Sequence, residues 1–147
     1  MTVGRWRAAR RFRRDVARHG WLVHYVADAD PSPLHFTVGL TERDLPEVFA
    51  YGLPAEQGGL ILNDVAERML DGLELTEPTV FDDLLEGDYN VHLWSVTEPP
   101  VLGAAYLLYG DRVRARQLVV PDEANRMPWH PDHHDSHRQP LFFDPPS

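Results

Sequence analysis

Cysteine is absent from the 147 residues, and so is lysine. Without cysteine there is no disulfide, no thiolate zinc site, no iron–sulfur cluster and no thiol nucleophile. Without lysine there is no Schiff-base chemistry and no P-loop lysine. All 14 basic residues are arginine, a usage that fits codon bias in a GC-rich bacterial genome. Long apolar runs are missing too. The longest, Val101–Tyr109, has nine residues, less than half of what a membrane span needs. The arginine-rich start leads into no apolar secretory segment. A cytoplasmic protein without a transmembrane segment is therefore expected. The motifs of a serine nucleophile elbow, of His-Glu-x-x-His and of a dinucleotide glycine loop are also absent.

What is present is unevenly charged. Residues 1–20 hold seven arginines against one aspartate, whereas the remainder holds seven arginines against 22 acids. The body should repel nucleic acid and anionic membrane, and the first 20 residues should attract them. Those residues have helix periodicity, with Trp6, Ala9, Phe12, Val16 and Ala17 on one side. Arg7, Arg10, Arg11, Arg14 and Arg18 fall on the other. This predicts a basic amphipathic helix docked by its apolar stripe, with nucleic acid an unlikely partner except through this helix.

The pattern that follows alternates aromatic and β-branched residues with turn chemistry. Strands are predicted over Trp21–Asp28, Leu34–Thr41 and Glu47–Leu53, joined by connections short enough for an antiparallel meander. A helix should start after Pro54 and stop at Gly72, with Leu62, Ala66 and Leu70 in one row. Gly58 and Gly59 weaken that helix, which points to a close backbone approach. Further on, "NVHLWSVT" and "RARQLVV" read as strands and "VLGAAYLLYG" as a short helix. "TVFDDLLEGDY" fits either a strand end or a helical turn, with its acids solvated. From Pro121 the chain carries six of its 13 prolines and no apolar period. The expected fold is a single α+β domain over residues 1–147. It comprises a mainly antiparallel sheet, about three packed helices and an irregular proline-rich tail over 121–147.

Four histidines, His130, His133, His134 and His137, are spaced to align on a helix. Pro128, Pro131 and Pro140 leave room for two turns at most. The run is therefore not read as a metal site, although the four imidazoles stay an alternative for one. Lacking apolar periodicity, residues 132–138 are expected to be dispensable for folding. The other histidines sit in strands, where His24, His35 and His92 are each possible bases or hydrogen-bonded strand residues.

Across much of its length the chain resembles the bacterial family of domain of unknown function 4262. The resemblance is carried by His-Gly-Trp at 19–21, Thr-Val-Gly-Leu at 37–40, a Pro-Glu before a strand ending Gly-Leu-Pro at 52–54, and Leu-Asn at 62–63. It continues with Pro-Asp at 121–122, Pro-Trp-x-Pro at 128–131 and Gln-Pro-Leu at 139–141. Phe36 stands where the family pattern has tyrosine, and Val120 where it has tryptophan. The resemblance implies a compact domain, common in actinobacteria, and no assigned activity, cofactor or partner.

Two classes of function stay open. The first is a non-catalytic binding or interaction domain with a groove between the Thr37–Leu40 segment, the Gly52–Pro54 corner and the Trp129 tail. The second is a small enzyme, or a protein binding a small and possibly flavin-sized molecule. The candidate pocket comprises His35, Thr37, Gly39, Tyr51, Gly52, His92 and Trp129. Gly39 and Gly52 omit side chains where a backbone or ligand must come close, and Trp129 offers a flat cover.

Overall fold

The computed structural model describes residues 3–100 and 102–146, with side chains from residue 10 onward. The expected places of Trp6, Arg7 and Ala9 lie outside those side chains. The elements run α1 (Val3–His19), β1 (Leu22–Val26), β2 (Leu34–Val38), a 3-10 turn (Leu40–Arg43), β3 (Glu47–Tyr51) and α2 (Ala55–Leu70). They continue with β4 (Thr79–Phe81), β5 (Val91–Ser95), α3 (Gly103–Tyr109) and β6 (Ala115–Val119). The fold is α+β, and the described residues form three helices on a six-stranded, mostly antiparallel sheet of order β1-β2-β3-β6-β5-β4.

The sheet is two antiparallel meanders, β1-β2-β3 and β4-β5-β6, joined by one parallel pair. That pair sets Glu47 opposite Ala115 and Phe49 opposite Gln117. The parallel pair was not legible in the short connections, because it is reached only by the long crossover through α2, β4, β5 and α3. β2 and β3 sit inside the sheet, and every residue of both is buried.

Each face has its own core. Ile61, Leu62, Val65, Ala66 and Met69 of α2 pack on Val48, Ala50, Leu93 and Leu118. Burying each such side chain contributes roughly 1.5–3 kcal/mol. On the other face Phe36, Val38, Phe49 and Tyr51 meet Val16 of α1 and Leu102, Ala105 and Tyr109 around α3. α1 docks along Phe12 and Val16, an i, i+4 seam, with Phe12 edge-on to His24 at 5.5 Å. Ala17, expected on the apolar side, is exposed because it lies off that seam.

The second strand is shorter than its sequence pattern. It stops at Val38, and Leu40–Thr41 enter the 3-10 turn instead. Gly39 has φ 128, a region that L side chains rarely adopt, and a Cβ there would lie 2.8 Å from the Gly20 carbonyl and the Trp21 Cα. Conformation and crowding both demand glycine.

Candidate functional site

Glu47 opens β3 and is fully buried. Its Oε1 accepts from Thr37 Oγ1 (2.8 Å) and the Leu40 N–H (3.2 Å). Its Oε2 accepts from the Thr41 N–H (2.9 Å), Thr41 Oγ1 (2.5 Å) and the Gly39 N–H (3.3 Å). Thr37 Oγ1 in turn accepts the Val48 N–H at 2.9 Å. A buried carboxylate is tolerated when several donors replace its water, and here five do. Both the Thr-Val-Gly-Leu motif and the Pro-Glu that follows are thereby explained as one closed network. Pattern reading missed Glu47, although a lone acid opening an apolar strand was the signal.

His35 lies one residue pair along β2 and is 1% exposed. Its Nε2 hydrogen-bonds the Ala55 carbonyl at 2.9 Å, in the first turn of α2. The Tyr25 ring lies tilted against its imidazole, with the centroids 4.5 Å apart. A Cβ on Gly58 would come within 2.3–2.5 Å of three atoms of the ring. The close approach anticipated for the glycine pair is thus real at Gly58. Gly59 has nothing within 4 Å. Burial lowers the pKa of His35 below its ordinary 6.5, and the Ala55 carbonyl opposes this only in part. His35 is a docking point for α2, and its Nδ1 is buried without a partner.

Past Val119 the described residues form no helix or strand except a 3-10 turn over Ser136–Arg138. Two glutamines hold this tail to the sheet. Gln117 donates to the Pro140 carbonyl (2.7 Å) and accepts from the Phe142 N–H (2.9 Å). Gln139 accepts from the Val120 N–H (2.9 Å) and donates to the Val120 carbonyl (3.0 Å). Each amide is used in both directions. Asp122 gathers the N–H groups of Ala124, Arg126 and His134 and the Arg126 guanidinium. Burial alone would raise its pKa, but these donors override it and hold the carboxyl well below the usual range.

Three clefts meet at Pro121–Asp122. The one that unites the most sequence motifs has a volume of about 470 Å³. Gly52 and Pro54 border it on one side, Pro121 and Asp122 on another, and His133, Arg138 and Gln139 close it. His133 has both ring nitrogens shut off from solvent with no hydrogen-bond partner, and burial lowers its pKa. Arg138 is exposed and its guanidinium has no ion pair among the described residues. A Cβ on Gly52 would lie 3.0 Å from the Arg138 carbonyl, and Ser32 Oγ donates to that same carbonyl. Of residues 132–138, Arg138 through its carbonyl and His134 through its N–H are thus bonded to Ser32 and Asp122.

The seven candidate pocket residues do not share one wall. His35, Thr37 and Gly39 are consumed by the α2 dock, the Glu47 network and the Gly20–Trp21 backbone. Tyr51 stacks on Phe142 at 5.8 Å. His92 and Trp129 do meet, at 5.7 Å, beside Trp94 and Phe143. Of the seven, Gly52 alone borders the cleft at Pro121–Asp122. The glycines make room for the chain's own backbone, which a sequence pattern cannot distinguish from room for a ligand.

His130, His133, His134 and His137 form turns rather than a helix and do not line up. His130 Nδ1 accepts the Asp132 N–H at 3.1 Å, and His134 Nε2 lies 3.4 Å from Asp135. Among the described residues no three His, Asp or Glu side chains converge as metal ligands would. Among the described residues no helix is long and apolar enough to cross a membrane. In the acidic loop, Asp83 is not merely solvated but pairs with Arg68 at 2.8 Å.

No curated protein and no solved structure matches the chain significantly. A family model does, over residues 15–134, which span the Glu47 network, the α2 dock, the Asp122 hub and His133. The chain belongs to the family described as domain of unknown function DUF4262.

Proposed function

We propose that this is a non-catalytic binding domain of a bacterial, actinobacterial cytoplasmic protein. It takes its partner in the cleft between the Gly52–Pro54 corner, Pro121–Asp122 and residues 133–139. One contrast carries the reading. The polar groups of the Thr37–Glu47 motif are saturated by internal bonds. The cleft, by comparison, is lined by His133, whose two ring nitrogens are buried without a partner, and by Arg138, which has no ion pair among the described residues. A buried imidazole without a partner is costly, and a ligand that supplies the missing hydrogen bond recovers that cost on binding. Arg138 adds a donor fork suited to a carboxylate or backbone carbonyl of a polypeptide.

Native mass spectrometry of the chain, purified from its host without an affinity tag, tests this. A bound polypeptide is expected, lost in His133→Ala and Arg138→Ala. A retained small molecule, or a partner indifferent to both substitutions, would move the assignment to a small-molecule binding protein or enzyme.

A further inference from the structure

A fourth cleft, away from Pro121–Asp122, has a chemistry of its own. It has a volume of about 490 Å³ and lies between the end of β5 and the last residues of the tail. Trp94, Phe142 and Phe143 supply its aromatic wall, and Glu77, Glu98 and Asp144 its carboxylates. The wall is rigid because its rings hold one another. Trp94 and Phe143 are stacked at 4.8 Å and 7°, with Trp129 edge-on to both at 6.0 Å. Phe142 is fixed separately, stacked on Tyr51 and tied by its N–H to Gln117.

The carboxylates are not equivalent. Glu77 accepts from the Ser95 N–H (2.9 Å) and Oγ (2.6 Å) and lies 3.6 Å from Arg116. Glu98 and Asp144 are exposed and have no ion pair among the described residues. The cleft therefore joins an apolar aromatic surface to two uncompensated negative charges. An anion is repelled from it, and a neutral ligand gains only the aromatic contact. A metal ion is not matched either, because no three carboxylates converge and aromatic carbon offers no hard donor. A cation with an organic body satisfies both halves, its alkyl or aromatic part on the rings and its charge at the rim. The volume is in the range of small-ligand pockets, on the order of 300–1,000 Å³.

We propose that this cleft binds a small organic cation of the alkylammonium or guanidinium class. Benzyltrimethylammonium is the probe, titrated into the full chain at low salt and followed by the Trp94 indole N–H and the backbone resonances. Benzyl alcohol and benzoate serve as neutral and anionic controls. Saturable binding of the cation alone is expected, with shifts centred on residues 94–98 and 141–144. Glu98 and Asp144 are exposed, so the double variant Glu98→Gln, Asp144→Asn retains the fold and should bind about tenfold more weakly. Added salt should weaken the wild-type complex. Equal response to benzyl alcohol, shifts centred elsewhere, or undiminished binding by the double variant would each overturn the proposal.

Discussion

The Thr37–Glu47 segment and the tail after Pro121 are both irregular, polar and rich in family motifs, yet they use their polar atoms differently. In the first, one carboxylate receives five donors and the hydroxyl of Thr37 serves two partners. In the second, Asp122 and Gln139 are similarly satisfied, but the ring nitrogens of His133 are not. A closed network specifies one backbone path; an incomplete one leaves a group for something else to satisfy. The most recognisable motif in the chain is thus its architecture, and the candidate chemistry lies in less conspicuous residues.

The comparison breaks most visibly at Glu47. Glu47→Ala strands five donors in a closed site and should cost about 3–5 kcal/mol in urea denaturation. Glu47→Gln, which keeps one good acceptor, should cost less. A loss below about 1 kcal/mol for the alanine variant would mean that the network is not what holds the turn.

Gly58→Ala is expected to rank next. Its methyl would collide with the His35 ring, and overpacking of this kind costs about 1–3 kcal/mol. Removing residues 132–138 should cost a similar or smaller amount, about 1–2 kcal/mol. It severs Ser32 from Arg138 and His134 from Asp122. An unchanged melting temperature would restore the view of a dispensable segment.

A pH titration sharpens the same contrast. Burial holds His24, His35 and His92 below their ordinary 6.5. The unfolded chain, titrating near that value, binds more protons in the window just beneath it. Stability should therefore be fully present above about pH 6.5 and decline as pH falls through that window. His35→Gln should flatten part of the slope. A urea midpoint that rises on acidification would contradict the assignment. The smallest effect has the opposite sign. Gly59→Ala, with open space around it, should stabilise α2 by about 0.5–1 kcal/mol.

Much of the fold was legible because the periods were clear. The second helix, the first meander and the strands over Val91–Ser95 and Ala115–Val119 fall where alternation and turn residues put them. The parallel β3–β6 pair was hidden because register between distant strands leaves no local trace. The glycines at 39, 52 and 58 were recognisable as close approaches, but what approaches them was not. Trp129 was expected over Gly39 and Gly52, and it packs on His92, Trp94 and Phe143 instead. Aromatic partners across a tail are chosen by path, and Gln117 and Gln139 fix that path through side-chain amides that no periodicity reveals.

Amide hydrogen exchange at Gly39, Leu40 and Thr41 tests the central claim most directly. These N–H groups lie outside any strand and donate to Glu47. The account predicts protection equal to that of the β3 amides, released only by global unfolding. Exchange far faster than in β3 would show that the carboxylate is open to other partners, and that the motif is chemistry after all.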